Sequence, residues 1–436
     1  MTDICLIHPF AHALANRTAY PPLGLLYVAA ALEANGHEVS YVDYNIDQHA
    51  QLPDADIYGV QLHTVSTYHE VRRILTQIRA DHTDALTVVG GPGTNTELVD
   101  PLLKDGLANL FVIGPGEETM CELAATFDQS AWRTIPGIKY YSSRPITTPP
   151  RQLRTPYELP FPARHLYPRE LLRDTSGVHG PVGVPATTLI STRGCVFNCA
   201  FCETHGAMHG YVARSPVNVI RELEHLQAKY EIYHYRFVDD IFTYNAPRTI
   251  ALCDLLSEQD ITFICITHSG LLSTRVIDSL KRAGCLEVML GIESGSPRML
   301  KRMNKRQSLS YAAKVIRWLR DADIASKLFI MVCFPGENAE TIAETKAFLE
   351  RTQPDKVHLS CFIPLPGSDV WLHPEKYKID GLDSNQLFDE SWFYWDDPDS
   401  TKGIMAVPRG TTVEELAALR ADLMRYVKEE AWKKHG

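Results

Sequence analysis

Short apolar runs alternate with amphipathic stretches over the first 130 residues, which is typical of parallel strands joined by crossover helices. Within each amphipathic stretch the apolar residues recur with a helical period, and Gly36 ends the first stretch as expected for a helix C-terminus. We therefore predict an α/β, doubly wound, Rossmann-like domain. Its strands are predicted at residues 4–7, 39–42, 57–62, 86–89 and 110–113, and its helices at 23–35, 67–80, 94–104 and 117–127.

Proline is frequent between residues 145 and 185, and periodic apolar positions are few there, which indicates a linker packed on its neighbours. From residue 187 the alternation resumes with six units, which suits a partial (β/α)6 barrel of the TIM type with its site at the carboxyl ends of the strands. An amphipathic helix at 413–434, capped by Thr411 or Thr412, ends the chain. The predicted barrel strands are 187–191, 235–238, 262–266, 287–290, 327–332 and 357–361. The predicted domains are 1–144 (doubly wound), 145–185 (linker), 186–370 (barrel) and 371–436 (small, mostly helical).

Composition narrows the class of protein. The chain has 436 residues, is 45% hydrophobic and carries a net charge of −10, and none of its apolar runs approaches the roughly 20 residues that span a bilayer. No basic cluster is dense enough to follow a phosphate backbone, so a nucleic-acid partner is disfavoured. The N-terminus lacks the features of a signal peptide, and ten cysteines are scattered along the chain. We expect a cytoplasmic protein with no membrane span.

Three cysteines form the candidate chemical centre. Three residues separate Cys195 from Cys199, and two separate Cys199 from Cys202, so one loop can wrap three thiolates around three corners of a 4Fe-4S cubane. The open fourth iron could then chelate S-adenosylmethionine (SAM), whose reduction yields a 5′-deoxyadenosyl radical. Structural zinc is disfavoured because its four ligands usually come as two paired knuckles and no second CxxC follows the trio, although His205 and His209, directly after it, have the HxxxH spacing.

The trio, with Phe201 just before its last cysteine, resembles the signature of the radical SAM superfamily. The resemblance implies that Phe201 and Asp239 lie at the SAM site, that Glu293 and Ser294 bind the ribose and methionine moieties, and that the bend of Phe334, Pro335 and Gly336 binds adenine. A carboxylate suits a ribose because it accepts two hydroxyl protons. Two alternatives stay open: Glu293 as a solvated residue at a helix N-terminus, and Asp239 with Asp240 as solvated side chains.

Small residues follow three predicted strands of the first domain, where ligands of doubly wound sheets bind. Any tight βα turn uses glycine, but the order of this domain before the cysteine trio resembles the cobalamin-binding radical SAM enzymes. The resemblance implies a corrin held against small side chains. The candidate cobalamin-binding residues are Tyr20, Pro21, Leu23, His63, Thr64, Ser66, Thr67, Gly90, Gly91, Pro92, Gly93, Gly114, Gly116 and Glu117.

One family motif is missing. Cobalamin domains that supply a histidine to cobalt carry Asp-x-His-x-x-Gly after their first strand, whereas in this chain that loop runs from His8 to His12 without it. Asp47 and His49 copy half of the motif after the second strand, with Leu52 in place of glycine, which we interpret as chance. We therefore expect cobalamin without a protein imidazole below the metal.

Two further features have open interpretations. Cys265, Cys333 and Cys361 could face the barrel interior as hydrogen-atom donors or ligands of a second cluster, or could be plain buried side chains. The aromatic and acidic run 388–397 could be a lid over the substrate or a packing strip that closes the open barrel.

The resemblance implies a cobalamin-dependent radical SAM transferase that methylates an unactivated carbon of a small, natural-product-like molecule. Reduced cobalt would take a methyl group from one SAM, and a substrate radical would capture it. An external electron donor such as flavodoxin or ferredoxin is implied. Alternatives are ring closure, ring contraction or sulfur insertion with the same cofactors, and a non-catalytic cobalamin or redox sensor. A methylthiotransferase is disfavoured because the first domain has only Cys5 and Cys121.

Overall fold

A computed structural model of the protein describes residues 2–12, 16–126, 131–152, 157–203, 210–388 and 400–429. Two compact units divide the chain: unit 1 is Met1–Leu172 with Ser384–Glu390, and unit 2 is Arg173–Asp383 with Ser391–Gly436. No helix in the described ranges is both long and apolar enough to cross a membrane.

Strands and helices alternate along most of the described chain and are numbered in chain order. The strands are β1 Asp3–His8, β2 Glu38–Asp43, β3 Ile57–Gln61, β4 Leu86–Gly90, β5 Leu110–Val112, β6 Ile138–Tyr141, β7 Pro145–Thr147, β8 Ala186–Leu189, β9 Thr192–Arg193, β10 Val212–Ala213, β11 His234–Phe237, β12 Thr262–Thr267, β13 Cys285–Glu293, β14 Ala325–Val332 and β15 Lys356–Cys361. The helices are α1 Leu23–Ala34, α2 Tyr68–Asp81, α3 Pro101–Lys104, α4 Glu117–Thr126, α5 Arg169–Leu172, α6 Pro216–Tyr230, α7 Ala246–Leu256, α8 Thr274–Arg282, α9 Pro297–Arg302, α10 Leu309–Asp321, α11 Ala339–Thr352, α12 Asp369–Leu372, α13 Asn385–Phe388 and α14 Val413–Glu429. Short 3-10 turns lie at Val65–Thr67, Pro92–Thr94, Glu97–Val99, Ala131–Thr134, Arg164–Leu166, Ser269–Leu271 and Pro374–Tyr377.

Unit 1 is built on a seven-stranded sheet in the order β2-β1-β3-β4-β5-β6-β7. The first five strands pair in parallel, which confirms the predicted doubly wound α/β domain. Their apolar side chains pack against those of α1 and α4 in one buried core. Because β1, β3, β4 and β5 are parallel neighbours, the loops that follow them meet at one edge of the sheet.

Two elements of unit 1 differ from the sequence-based expectation. The sheet gains an antiparallel hairpin, β6 and β7, whose second strand begins inside the proline-rich stretch. Pro145 is tolerated there because β7 is an edge strand with no further partner to receive an N–H. The single helix predicted at 94–104 is instead two 3-10 turns and the short α3, since Pro101 cannot continue a helix through its own position and starts a new one.

Unit 2 is built on a six-stranded sheet in the order β15-β14-β13-β12-β11-β8, with every pair parallel. All six predicted strands are confirmed, and β8 and β15 are the edges of the sheet, so it is open, as a partial barrel is. A two-residue ladder, β9 with β10, stands beside it.

The two faces of this sheet differ in character. Side chains alternate along β14, and Leu328 and Ile330 are fully buried on the face covered by α10 and α14, which we call the outer face. Lys327 and Phe329 alternate with them on the other, less buried face, which we call the inner face. The Phe329 ring lies 5.4 Å from that of His358 of β15 across this inner face.

The C-terminal helix α14 starts with a reciprocal cap. Thr412 Oγ1 accepts the Glu415 N–H at 3.2 Å, and Glu415 Oε2 accepts the Thr412 N–H at 2.9 Å, so Thr412 is the cap. Residues 430–434 of the predicted helix lie outside the described residues. The same holds for the aromatic run beyond Phe388, whose own ring lies 4.8 Å from that of Tyr68 within unit 1.

Candidate cluster and cofactor sites

Cys195, Cys199 and Cys202 lie on the loop that follows β9, and all three are free thiols with intermediate exposure. The Phe197 N–H donates to Cys195 Sγ at 3.4 Å. Burial raises the pKa of the Cys199 thiol to about 11, so binding of iron must displace its proton. Within the described residues, no three His, Cys, Asp or Glu side chains converge on one metal ion. A cubane places each cysteine on its own iron atom, so three free thiols on one loop fit such a cluster.

Three hydrogen bonds from backbone N–H groups tie the cysteine loop to the segments after β11 and α9 and to α12. The Gly194 N–H, one residue before Cys195, donates to Asp240 Oδ2 at 2.9 Å. The Ala200 N–H, one residue after Cys199, donates to Met303 O at 2.8 Å. Ala200 O in turn accepts the Val370 N–H at 3.1 Å. The loop is therefore positioned before any cluster is added.

Asp239 follows β11 and is 2% exposed. Its Oδ1 accepts the Ser191 N–H at 2.7 Å, and its Oδ2 accepts the Ser191 hydroxyl at 2.5 Å. Burial raises the pKa of this carboxyl, and the bonds from Ser191 offset only part of that rise. Asp239 thus fixes the start of the segment that leads into the cysteine loop, and contact with SAM stays a prediction.

Glu293 is the last residue of β13 and points toward the cysteine loop. Its Oε1 lies 3.0 Å from Lys305 Nζ, and both side chains are about one-tenth exposed, at 11% and 10%. A Cβ at Gly291 would lie 2.6 Å from that oxygen and 3.0 Å from that nitrogen, so only glycine leaves room for the pair. The Lys305 ammonium lies 5.9 Å from the Phe201 ring centroid and interacts electrostatically with Cys199. No spacing in the sequence singles out Lys305, which is one of several basic residues in its stretch.

Ser294 is fully buried and holds a sharp bend. Its hydroxyl accepts the Ser296 N–H at 3.1 Å and lies 3.4 Å from the Thr345 hydroxyl, which also accepts the Gly295 N–H. A Cβ at Gly295 would lie 2.5 Å from Thr345 Cα. These contacts bind the end of β13 to α11, and a bond from Ser294 to SAM stays a prediction.

Phe334, Pro335 and Gly336 form a tight bend after β14. Phe334 is fully buried, and its ring centroid lies 4.8 Å from that of Phe362. Arg302 Nε donates to Pro335 O at 2.6 Å, and Gly336, with φ of 96°, has no room for a Cβ beside that guanidinium. Arg302 of α9, which the sequence did not identify, holds the bend in place.

The three candidate catalytic cysteines are buried, and buried thiols often behave as small hydrophobic side chains. Cys265 lies beside Cys285 of β13, with Cys253 of α7 nearby. Cys333 and Cys361 lie beside each other, next to Arg420 of α14, and the Cys333 thiol donates to Leu416 O at 3.5 Å. A catalytic role for these thiols stays a prediction.

In unit 1, the loops after β3 and β4 lie against each other. The Gly93 N–H donates to Leu62 O at 2.9 Å, and a Cβ at Gly93 would lie 2.9 Å from that oxygen. Gly91 has φ of 110°, and its Cβ would lie 2.7 Å from the same oxygen. Close approach of the two loops therefore requires both glycines. The β3 loop is fixed by Thr64, whose hydroxyl lies 2.6 Å from that of Ser66 and whose carbonyl accepts the Thr67 hydroxyl at 2.9 Å.

The remaining candidate cobalamin residues also lie at the carboxyl edge of unit 1. Gly114, with φ of 80°, leads into α4, where buried Glu117 accepts a hydrogen bond from Tyr157 at 3.1 Å. Gln61 ends β3, and its Oε1 is buried with no hydrogen-bond partner among the described residues. An unsatisfied acceptor beside a shelf of small residues fits a ligand with hydrogen-bond donors, as the amide side chains of cobalamin are. The edge positions are Tyr20 and Pro21 before α1, Leu23 at its first position, His63 after β3, Gly90 at the end of β4, Pro92 after it, and Gly116 before α4.

Two histidines lie near the places where a cobalt-ligand motif could stand. The His8 imidazole contacts the protein, with its Nδ1 3.0 Å from Asp43 Oδ2. His49 is in an exposed turn after the edge strand β2, where its backbone N–H donates to Asp47 Oδ1.

Comparison with known proteins agrees with both sites. Residues 189–349 match the model of the radical SAM superfamily, and residues 15–124 match that of the B12 binding domain. Among curated proteins, the chain is 27% identical over 388 residues to the uncharacterized methyltransferase PH0819 of Pyrococcus horikoshii, covering 84% of this chain and 82% of that protein. It is 25% identical over 429 residues to the anaerobic magnesium-protoporphyrin IX monomethyl ester cyclase of Rubrivivax gelatinosus, covering 88% and 75%.

A solved structure shares the fold. The radical S-adenosylmethionine methyltransferase TsrM of Kitasatospora setae, determined with cobalamin and a [4Fe-4S] cluster, superposes with a TM-score of 0.70 at 20% identity, covering 88% of this chain and 77% of that one. Because it combines a B12 binding domain with a radical SAM domain, this chain belongs to the cobalamin-binding radical SAM enzymes, whose cofactors are a 4Fe-4S cluster, SAM and cobalamin.

Proposed function

We propose that this protein methylates an unactivated carbon of a small-molecule substrate. The observation that carries the proposal is the joint presence of a radical SAM cysteine loop beside Glu293 and Lys305 and of a B12-binding domain in one chain. When bound, the cluster with SAM supplies a radical that removes a substrate hydrogen, and cobalamin supplies the methyl group.

The chain's own residues have three tasks in this reaction. Cys195, Cys199 and Cys202 hold the cluster on a loop that is already anchored to the barrel. Glu293, fixed by Lys305, offers a carboxylate beside that loop to the hydroxyl groups of SAM. Both side chains are largely buried, which reduces competition from water for their hydrogen bonds.

The inner face of the barrel sheet is where we place the substrate. Lys327 Nζ lies 5.8 Å from the Phe329 ring centroid, and Phe329 stacks edge to face on His358. Arg236 Nη2 lies 3.8 Å from Met289 Sδ on the same face. The same face also holds the Glu287 carboxylate, which is paired with Lys356 at 2.7 Å. A wall with charges of both signs, two rings and a thioether suits a small molecule with an apolar body and polar groups.

The partners and location follow from the same chemistry. Reduction of the cluster requires an external one-electron donor, for which we propose a flavodoxin or ferredoxin. We propose a cytoplasmic location because all ten cysteines are free thiols, as in reducing compartments. We also propose that unit 1 holds cobalamin and unit 2 holds the cluster and SAM.

The experiment compares wild type with Cys199→Ala and a control, Cys253→Ala, which removes a buried thiol of α7. Each protein is reconstituted anaerobically with iron, sulfide and cobalamin, then incubated with SAM and dithionite. Iron content, the visible spectrum, 5′-deoxyadenosine and S-adenosylhomocysteine are measured. We expect wild type and Cys253→Ala to load iron and corrin and to form both products.

Cys199→Ala should retain corrin absorbance and lose iron and 5′-deoxyadenosine. Deoxyadenosine without S-adenosylhomocysteine in the presence of bound corrin would instead support a non-methylating radical reaction. Cofactor binding without either product would support a sensor, and absence of corrin would refute the proposal.

A further inference from the structure

His268 is a buried histidine at the carboxyl end of β12 with no part in the cysteine trio, the Glu293 pair or the cobalamin edge. It is 5% exposed, and its ring stacks on that of Phe197, between Cys195 and Cys199, with centroids 4.5 Å apart and planes inclined by 24°. The imidazole therefore lies directly beside the loop that holds the cluster.

The protonation state of the ring follows from one hydrogen bond. The Gly270 N–H donates to His268 Nδ1 at 3.0 Å, and a backbone amide can only donate, so Nδ1 carries no proton. Burial, and to a smaller extent the nearby Lys305 charge, lower the pKa of His268 to about 4, so the ring is neutral at physiological pH. A neutral ring without a proton on Nδ1 carries it on Nε2.

Nε2–H is thus a buried donor to which no described residue offers an acceptor. The atom is shielded from solvent and makes no hydrogen bond with any part of the chain that the structure describes. An unpaired buried donor has lost its hydrogen bond to water without gaining another, so native proteins rarely retain one without a ligand.

The surroundings hold the ring rigidly in this orientation. A Cβ at Gly270 would lie 3.1 Å from Nδ1, so any larger residue there would press on the ring. The Ser269 hydroxyl donates to Gln307 Oε1 at 2.9 Å, which ties the His268 turn to the segment that carries Lys305. The His268 donor and the Lys305–Glu293 pair are therefore fixed on linked segments beside the cysteine loop. A donor in a poorly solvated site makes its strongest hydrogen bond to an anionic acceptor.

We propose that His268 is a cofactor-binding residue that donates a hydrogen bond from Nε2 to an anionic acceptor at the cluster, either a cluster sulfide or the carboxylate of SAM. This inference rests on the proposed function only in requiring that the protein load a cluster and bind SAM. Wild type establishes that requirement first, so a failure there is distinct from a failure of the His268 assignment.

Two amide substitutions separate a donor role from a structural one. Gln extends far enough to place an N–H near the position of Nε2, so His268→Gln keeps the donor. Asn places its oxygen near Nδ1, so His268→Asn keeps the acceptor for Gly270 and loses the donor. His268→Phe keeps the stacked ring on Phe197 and loses both polar atoms. All three are loaded with iron and sulfide and compared with wild type.

Two readouts are independent of turnover: the midpoint potential of the cluster without SAM, and the dissociation constant of SAM. If the acceptor is SAM, His268→Asn and His268→Phe should weaken SAM binding roughly ten- to hundredfold with the potential unchanged, while His268→Gln stays near wild type. If the acceptor is a sulfide, the same two variants should lower the potential without SAM, because the donor stabilises the more negative, reduced cluster.

Loss of iron loading in the Asn and Phe variants, with normal loading of His268→Gln, would also support the proposal, because only the variants that lack the donor would be affected. The proposal is overturned if all three variants match wild type in both readouts. It is equally overturned if His268→Gln is impaired as much as His268→Asn, because the ring would then act through its shape alone.

Discussion

Replacing Lys305 by methionine tests how the carboxylate of Glu293 is held beside the cysteine loop. The two side chains are 3.0 Å apart and about nine-tenths buried, so the substitution leaves a carboxylate in a poorly solvated site without its counter-charge. Removing one partner of a buried ion pair typically costs about 3–5 kcal/mol, whereas an exposed pair contributes about 0–1 kcal/mol. Lys281 provides a matched control, since its Nζ is also 3.0 Å from a carboxylate, that of Asp323, but the side chains are 43% and 98% exposed.

The assay is hydrogen exchange of β13 amides by mass spectrometry on the reduced, iron-free protein, which reports the stability of unit 2 without interference from unit 1. Lys305→Met should raise the exchange rate by about a hundredfold or more, since each 1.4 kcal/mol is about a factor of ten. Lys281→Met should change it by less than about fivefold. The double variant Glu293→Gln with Lys305→Met should recover most of the loss, because no charge is then left unpaired. Equal effects of the two lysine substitutions, or a double variant as unstable as Lys305→Met, would refute the reasoning.

Two further predictions concern stability in the same unit. Burial raises the pKa of Glu337 from its ordinary 4.5 to about 8, so the folded state binds the proton more tightly than the unfolded state does. The resulting contribution to the free energy of unfolding is fully present below pH 4.5 and is lost as the pH rises toward 8. Between pH 4.5 and 7 the free energy of unfolding of wild type, measured with urea, should therefore fall by roughly 3 kcal/mol more than that of Glu337→Gln. Gln is a suitable control because it can still accept the Cys333 N–H. Parallel pH profiles of the two proteins would contradict this prediction. Gly295→Ala should cost about 1–3 kcal/mol because its Cβ meets the Thr345 backbone at 2.5 Å, whereas Gly381→Ala, with open space around it, should be neutral in the same measurement.

Periodicity predicted the strands well because it is a property of many residues at once. Each barrel strand carries several apolar side chains, so one irregular position does not hide it, and the observed β12, Thr262–Thr267, differs from its predicted range by one residue. The prediction for β13 stopped at 290, whereas the strand reaches Glu293. Gly291 and Glu293 interrupt the apolar pattern, and what extends the strand is pairing with β14, which is a tertiary contact.

The side chains that complete the site were harder to find because each depends on a single long-range contact. Lys305 lies twelve residues beyond Glu293, and Arg302 reaches the carbonyl of Pro335 across 33 residues of sequence. Neither stands in a periodic pattern or at a motif spacing. His268 was missed for another reason: a lone histidine after a strand is common, and what distinguishes it is the bond to its Nδ1 and the lack of one at Nε2 among the described residues.

Backbone strain gives independent support for where the chemistry lies. Seven described residues other than glycine have positive φ, and five of them follow helix ends, where the left-handed conformation is an ordinary way to stop a helix. The other two are Glu293 and Cys333, at the carboxyl ends of the adjacent strands β13 and β14, with φ of 68° and 67°. A residue of this kind costs about 1–2 kcal/mol and persists only where contacts enforce it. In this protein the Lys305 ammonium donates to the Glu293 carboxylate, and the Glu337 carboxyl group accepts the Cys333 N–H. At Glu293 the strain coincides with a shift in the β13–β14 register, which turns its side chain toward the cysteine loop instead of along the strand. A strand that served only to fill the barrel would need neither the bulge nor the buried ion pair, so both support our proposal that the Glu293 carboxylate is positioned to bind SAM.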